Sequence, residues 1–289
     1  MTTAEPLRPA TPVAGGSHTR RDWSDAVLNV YLLFFFAVLF APLVIMVVAA
    51  FNDYPSPSIA PWRGFTLRWF AAVPQDARIV RGLWHSLLIA SGVIAIAIPL
   101  GLSGALLLSR LQSRASGILY TALVSPVMTP GIVLGITTMV FWRDVFGVEA
   151  GLFTAMIAQA SFIASYCMLL LMARLSRQDR TLEDAAADLG ATPFYAFRRI
   201  TLPFLAPTIA TAAVIAFLQS IENYPTTFFS IGSSWTLVTE IGSRMRFGLS
   251  PMINAIGVIF IVVTMASALV WAALRAREVR AKVPTPARS

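Results

Sequence analysis

The side chains of this 289-residue chain that could do covalent chemistry are few and badly spaced for it. Lys282 is the only lysine, so no GxxxxGK[ST] phosphate loop occurs. His18 and His85 are the only histidines, and neither has a partner at metal-ligand or catalytic spacing, which excludes HExxH zinc sites and Ser-His-Asp triads. Ser161 and Ser165 lie a helical turn apart with no base nearby; small hydroxyls at that spacing let helices pack closely. Cys167 is alone, so there is neither a disulfide framework nor a thiol cluster. Nothing here makes an enzyme active site. Two acidic stretches are left to explain: Glu222-Asn223-Tyr224, and Glu183-Asp184 ahead of Ala185, Ala186 and Ala187.

The elements that must position these residues are set by hydropathy. The chain is 57% hydrophobic and only 12% charged, where a soluble domain carries about a quarter charged residues. Six stretches contain no acidic or basic residue: 26–51, 86–109, 115–142, 150–173, 200–221 and 247–274. Each exceeds the ~20 residues a helix needs to cross ~30 Å of hydrocarbon. The fold class is therefore an all-α integral membrane protein with six transmembrane helices over residues 26–274. Residues 1–25, rich in Pro, Thr, Gly and Ala, are expected to be a disordered tail, and 275–289 a basic tail. No small-residue cleavage site follows the first run, so it should stay as an anchor.

Positive charge orients the spans. With the N-terminus inside, fifteen Lys and Arg fall on inner segments, Arg110, Arg174, Arg177, Arg198 and Arg199 among them, against seven on outer loops. That bias sets both termini in the cytoplasm. It also accounts for the pI near 10.5 without nucleic acid, because the basic residues line one membrane face and lack interleaved aromatics.

The inner loop between the fourth and fifth runs, residues 174–203, reads as two short helices with a sharp break. Thr181 is placed to cap the first, with Asp184 three residues on and acids in the first turn facing the positive end of the helix dipole. Gly190 suits the left-handed position that ends it. Thr192 can cap a second helix with Pro193 at its first position, and Pro203 and Pro207 mark the return to the membrane. Such a slim rod fits a groove on another protein; it would equally serve as an amphipathic hairpin lying on the membrane surface.

Glu222 is the one acid touching the fifth run, and a carboxylate at membrane depth is expensive unless it has a use. With Asn223 and Tyr224 it could offer a cationic solute charge, hydrogen bonds and a ring face. The plainer reading is an interfacial carboxylate at the outer end of the helix. Pro126, Pro130 and Gly131 predict a kink in the third run, and Pro99 with Gly101 another in the second. Pro225 and the GSSW stretch at 232–235 predict a break after the fifth run and a short outer helix, with Phe228, Phe229 and Trp235 as interfacial anchors.

Glu183-Asp184-Ala185-Ala186, Leu189-Gly190-Ala191, Ile200, Leu202-Pro203 and Pro207 resemble the EAA motif of binding-protein-dependent ABC importer permeases, which runs EAA, three residues, G, nine residues, I, then LP. The six runs, the loop position, PWRGFTLRWF in the first outer loop and RMRFGLSPMINAIGVIFI near the end are similar to the spermidine/putrescine permease subfamily. The resemblance implies a type I ABC importer transmembrane domain in the bacterial inner membrane. Glu183, Asp184, Ala185, Ala186, Leu189, Gly190, Ala191 and Pro203 would then belong to a coupling loop docked in a cytoplasmic ATPase dimer. ATP and Mg would sit on that partner, with no cofactor on this chain. A second, related permease, a periplasmic solute-binding protein and membrane lipid complete the implied partners, with no nucleic acid. The implied cargo is a polyamine or a similar amine-bearing solute; amino acid derivatives, phosphonates and iron are alternatives within the class. An ion-coupled secondary transporter would need several buried acids or paired inverted repeats, which the chain lacks.

Overall fold

The computed structural model describes residues 18–111, 115–179, 181–247 and 250–281. Among these residues helices dominate, and the one β feature is an isolated antiparallel bridge between Asn52 and Phe65. Two compact units divide the chain, one formed by its first 66 residues with those from 254 on, the other by Leu67–Ile253.

In the first unit, helix α1 (His18–Ala50) is exposed along nearly all its apolar length, as expected of a helix solvated by lipid. It begins at His18, so residues 18–25 are helical rather than part of a disordered tail; residues 1–17 lie outside the described residues. After α1, the buried Asn52 ties the following loop by three hydrogen bonds. Its Nδ2 donates to the Ser58 and Pro61 carbonyls at 2.8 and 3.1 Å, and its Oδ1 accepts from the Arg63 N–H at 2.9 Å. Helix α12 (Met252–Ala281) places Gly257 against Met46 of α1.

The second unit opens with the short α2 (Arg68–Ala72) and is centred on α3 (Ala77–Arg110), α6 (Leu152–Leu175) and α9 (Leu202–Ile221). Water provides no driving force between helices in lipid, so close packing of small residues must hold them. Ala97 of α3, Ala155 and Cys167 of α6, and Ala212 and Ala216 of α9 meet in one buried cluster with Ile89, Val93 and Ile163. A second cluster joins Ala105, Leu108, Met168, Leu171 and Leu205. Ser165 bears out the packing role read from its spacing: its Oγ donates to the Leu123 carbonyl at 2.6 Å, tying α6 to α4 (Ala115–Met128).

The third apolar run is more than kinked. It breaks into α4 and α5 (Gly131–Phe146), which meet at 105°. Pro130 lacks an N–H and disfavours helix at Thr129, so neither helix can pass through. Pro99, by contrast, lies within the continuous α3.

Of the six expected spans, four or five are found among the described residues. Among the described residues four helices are long and apolar enough to cross a membrane: 25–50, α3, α6, and the stretch 193–221 that ends in α9. The bent α4–α5 pair raises the count to five. The sixth run lies in α12, of which Met252–Ala266 is the described apolar part; the helix itself continues past Leu274 into the expected tail.

Candidate functional site

The break in the third span opens a cavity of about 340 Å³ lined by Thr129, Gly131, Phe162, Tyr166, Gln219, Glu222, Asn223 and Thr226, among others. Glu222 caps the C-terminus of α9, its N–H bonding the Leu218 carbonyl, and its side chain is exposed to the cavity. Among the described residues its carboxylate has no ion-pair partner. Tyr166 and Gln219 also line a second cavity of about 320 Å³ walled by Ile163, Leu170, Ala212 and Ile215. A polar chamber with one carboxylate therefore adjoins an apolar groove.

The three residues singled out around Glu222 separate in space. Asn223 lines the chamber, but its Oδ1 accepts from the Thr226 N–H at 3.2 Å and so starts α10 (Pro225–Ser230). Tyr224 turns away: its ring stacks on Phe228 with centroids 5.3 Å apart and lies against Gly242 of α11 (Leu237–Phe247). It does not line the chamber.

The short α10 is held from behind by residues that sequence reasoning passed over. Gln159 is fully buried in α6; its Nε2 donates to Thr227 Oγ1 at 2.6 Å and its Oε1 accepts from Ser220 Oγ at 2.5 Å. Thr154 Oγ1 donates to the Ser230 carbonyl at 2.6 Å. The one available signal was an amide alone in the apolar run 150–173, where an unsatisfied amide would be costly.

The N-terminal parts of α3 and α11 are joined by a charge network that sequence reasoning also missed. Glu240, 4% exposed, accepts from Arg78 Nε and Nη2 at 3.1 and 2.9 Å and from Arg244 Nε at 2.9 Å. Arg244 Nη1 reaches Asp76 Oδ2 at 2.7 Å. Hydrogen bonds from Arg244 hold the Asp76 carboxyl below its usual range, and those from Arg78 do the same for Glu240. Trp235 is part of this clamp rather than a free interfacial anchor. Arg78 stacks 4.3 Å over its ring, its Nε1 donates to the Arg78 carbonyl at 3.0 Å, and its own carbonyl accepts from His85 Nδ1 at 2.8 Å.

On the inner loop, α7 (Thr181–Asp188) ends as expected. Gly190 has φ +83°, its N–H bonds the Ala187 carbonyl, and the Ala191 N–H reaches back to Ala186, the paired bonds of a Schellman stop. Thr192 caps α8 (Pro193–Ala196) by accepting from the Tyr195 N–H at 3.3 Å. Thr181, however, is not the first cap. It lies inside α7, and Asp179 Oδ1 accepts from both its N–H at 3.0 Å and its hydroxyl at 2.8 Å. A carboxylate two residues earlier outcompetes the hydroxyl for the free N–H groups.

No residue of α7 is buried; Leu182 and Leu189 are exposed, Leu189 by 90%, as are Phe194 and Tyr195. Ala186, Leu189, Gly190, Ala191, Thr192 and Tyr195 surround a concavity of about 460 Å³. Counting back from Gly190 by the motif spacing, its acid falls on Asp184, which is exposed; Glu183 points inward. A five-residue π segment, Phe197–Thr201, joins α8 to α9, with Pro203 in the first turn of α9.

A membrane domain of small-residue-packed helices, with one span broken over a polar chamber and a two-helix loop between the fourth and fifth runs, has the fold of a type I ABC importer transmembrane domain. Residues 97–280 match the binding-protein-dependent transport system inner membrane component family, and the chain belongs to it. It is 29% identical over 239 residues to the Escherichia coli K12 putrescine transport system permease protein PotI, covering 80% of this chain and 84% of that one. It is also 28% identical over 231 residues to the spermidine/putrescine transport system permease protein PotC of the same organism, covering 80% and 86%. Its fold is similar to a chain of a bacterial alginate ABC transporter, solved in complex with an alginate pentasaccharide-bound periplasmic protein, with a TM-score of 0.68 at 17% identity over 90% of this chain and 96% of that one. This is a permease component, not an enzyme.

Proposed function

We propose that the chain imports a small amine-bearing solute, of which putrescine and spermidine are the type, by alternating access. The observation that carries this reading is the Glu222 carboxylate, without an ion-pair partner among the described residues, in a polar chamber beside an apolar groove. An ammonium needs a counter-charge once it leaves water, while its methylene chain is best received by apolar walls. Similarity to PotI and PotC supports the same cargo.

The solute arrives from a periplasmic binding protein at the outer end. The exposed inner loop, with both termini on the same cytoplasmic side, docks in one subunit of an ATPase dimer that holds ATP and Mg; this chain holds neither. The apolar tips Leu182, Leu189 and Phe194 support docking, because exposed apolar patches of this kind mark protein contacts. A second permease pairs with this one across the substrate path. Closure of the ATPases biases the spans between inward-open and outward-open states.

Uptake of radiolabelled putrescine by the complete complex, with wild type, Glu222→Gln and Glu222→Asp compared, tests the cargo assignment. Uptake should fall at least about tenfold in Glu222→Gln, the loss of one desolvated charge pair, and less in Glu222→Asp. Equal uptake by all three would remove Glu222 from the path.

A further inference from the structure

The inner loop is joined to the membrane helices by more than its covalent links, and the joint is Glu183. Its Oε1 accepts from Thr201 Oγ1 at 2.5 Å and Gln178 Nε2 at 3.0 Å, and its Oε2 lies 3.4 Å from Arg110 Nη2. The four residues come from α7, the π segment that leads into α9, the turn after α6 and the last turn of α3. Thr201 is fully buried and the Glu183 side chain is 26% exposed, so the carboxylate is largely withdrawn from water. Bonds to an ionised acceptor in such a place are about twice as strong as neutral ones.

This tether matters because α7 lies at the surface of the domain. None of its residues is buried, and a turn joins it to α8. A load applied to a helix attached only by turns would bend the turns. Thr201, by contrast, continues directly into α9, whose far end carries Gln219 and Glu222 of the chamber.

We propose that Glu183 is a positioning residue, a carboxylate strut that makes α7 move as one body with the inner ends of α3 and α9. It does not meet the ATPase; that contact falls to the neighbouring Asp184 and to Leu189. The inference rests on the coupling reading of the loop and adds the route by which movement leaves it.

The test uses the complete complex with spin labels at Ala187 on α7 and Val214 on α9, both exposed. The wild-type distance should be a single narrow peak, unchanged on trapping with ATP and vanadate. Thr201→Val, which removes the donor but keeps the shape, should lose the narrow peak and lower putrescine imported per ATP hydrolysed by about fivefold. Thr201→Ser should restore both. Unchanged peak width and ratio in Thr201→Val, or equal loss in Thr201→Ser, would overturn the strut. Should Thr201→Val not assemble, Arg110→Gln at the half-exposed end of the joint takes its place, with broadening expected and an unaltered peak contradicting the idea. Leu189→Glu separates the underlying reading: it should release the ATPase with the narrow peak intact, and an ATPase that stays bound and coupled would refute loop docking itself.

Discussion

The carbonyl oxygen of Thr226 lies 2.5 Å from the point where a Cβ on Gly135 would stand, and Thr226 Oγ1 lies 2.8 Å from the same point on Gly131. Two glycines a helical turn apart on α5 thus form the seat of α10, the short helix beside Glu222. Small residues at this spacing let backbones meet in lipid.

Gly135→Val should therefore displace α10, because the obstacle is backbone and cannot rotate aside. Overpacking of this kind costs about 1–3 kcal/mol. Uptake should fall while the chain still inserts and still co-purifies with its ATPase. Full uptake by Gly135→Val would show that α10 does not position the chamber.

Gly190 tests the inner loop by a different principle. No atom lies within 4 Å of its missing Cβ, so a side chain meets no obstacle there; the strain lies in φ +83°. Gly190→Val should cost about 1–2 kcal/mol through the left-handed backbone and uncouple ATP hydrolysis from uptake, with Gly190→Asn milder. Comparison of hydrolysis and uptake in one preparation checks this; normal coupling in Gly190→Val would contradict it.

The charge network of Asp76, Arg78, Glu240 and Arg244 predicts a pH dependence with a defined sign. Asp76 and Glu240 have folded pKa values held below 3.8 and 4.5, so their pairing stabilises fully above those values and is lost as pH falls below them. Thermal melting of the purified protein should be insensitive to these groups between pH 5 and pH 8, then drop on acidification below about pH 4. Glu240→Gln should lower the melting temperature at neutral pH and flatten the acid limb. An acid limb identical to wild type would assign the drop to other groups.

Orientation is open to direct labelling. In a chain whose Cys167 is replaced by serine, a cysteine at the exposed Ala187 should react with an impermeant maleimide only from the cytoplasmic side. Reaction from outside would invert the proposed topology.

What was legible in the sequence was local. The Gly190 stop, the Thr192 cap and a bend near Pro130 each follow from one residue's backbone chemistry, and the spacing of Ser161 and Ser165 announced close packing. What was hidden depends on distant partners. Arg78 and Glu240 are 162 residues apart, and Gln159 finds Thr227 across 68. A ring beside an acid suggests a shared site, but the packing of Tyr224 on Phe228 and Gly242 depends on the turn between α9 and α10 and on α11, which the local sequence does not announce. Thr181 lost its capping role to Asp179 for a local reason, a stronger acceptor two residues earlier.

The central claim is that solute crosses this domain only when a separate subunit hydrolyses ATP. The direct measurement is uptake of radiolabelled putrescine into liposomes holding the chain alone, the full complex, or the full complex with an ATPase unable to hydrolyse ATP. Uptake confined to the hydrolysing complex is the predicted result. Uptake by the chain alone, driven by an ion gradient, would contradict the account.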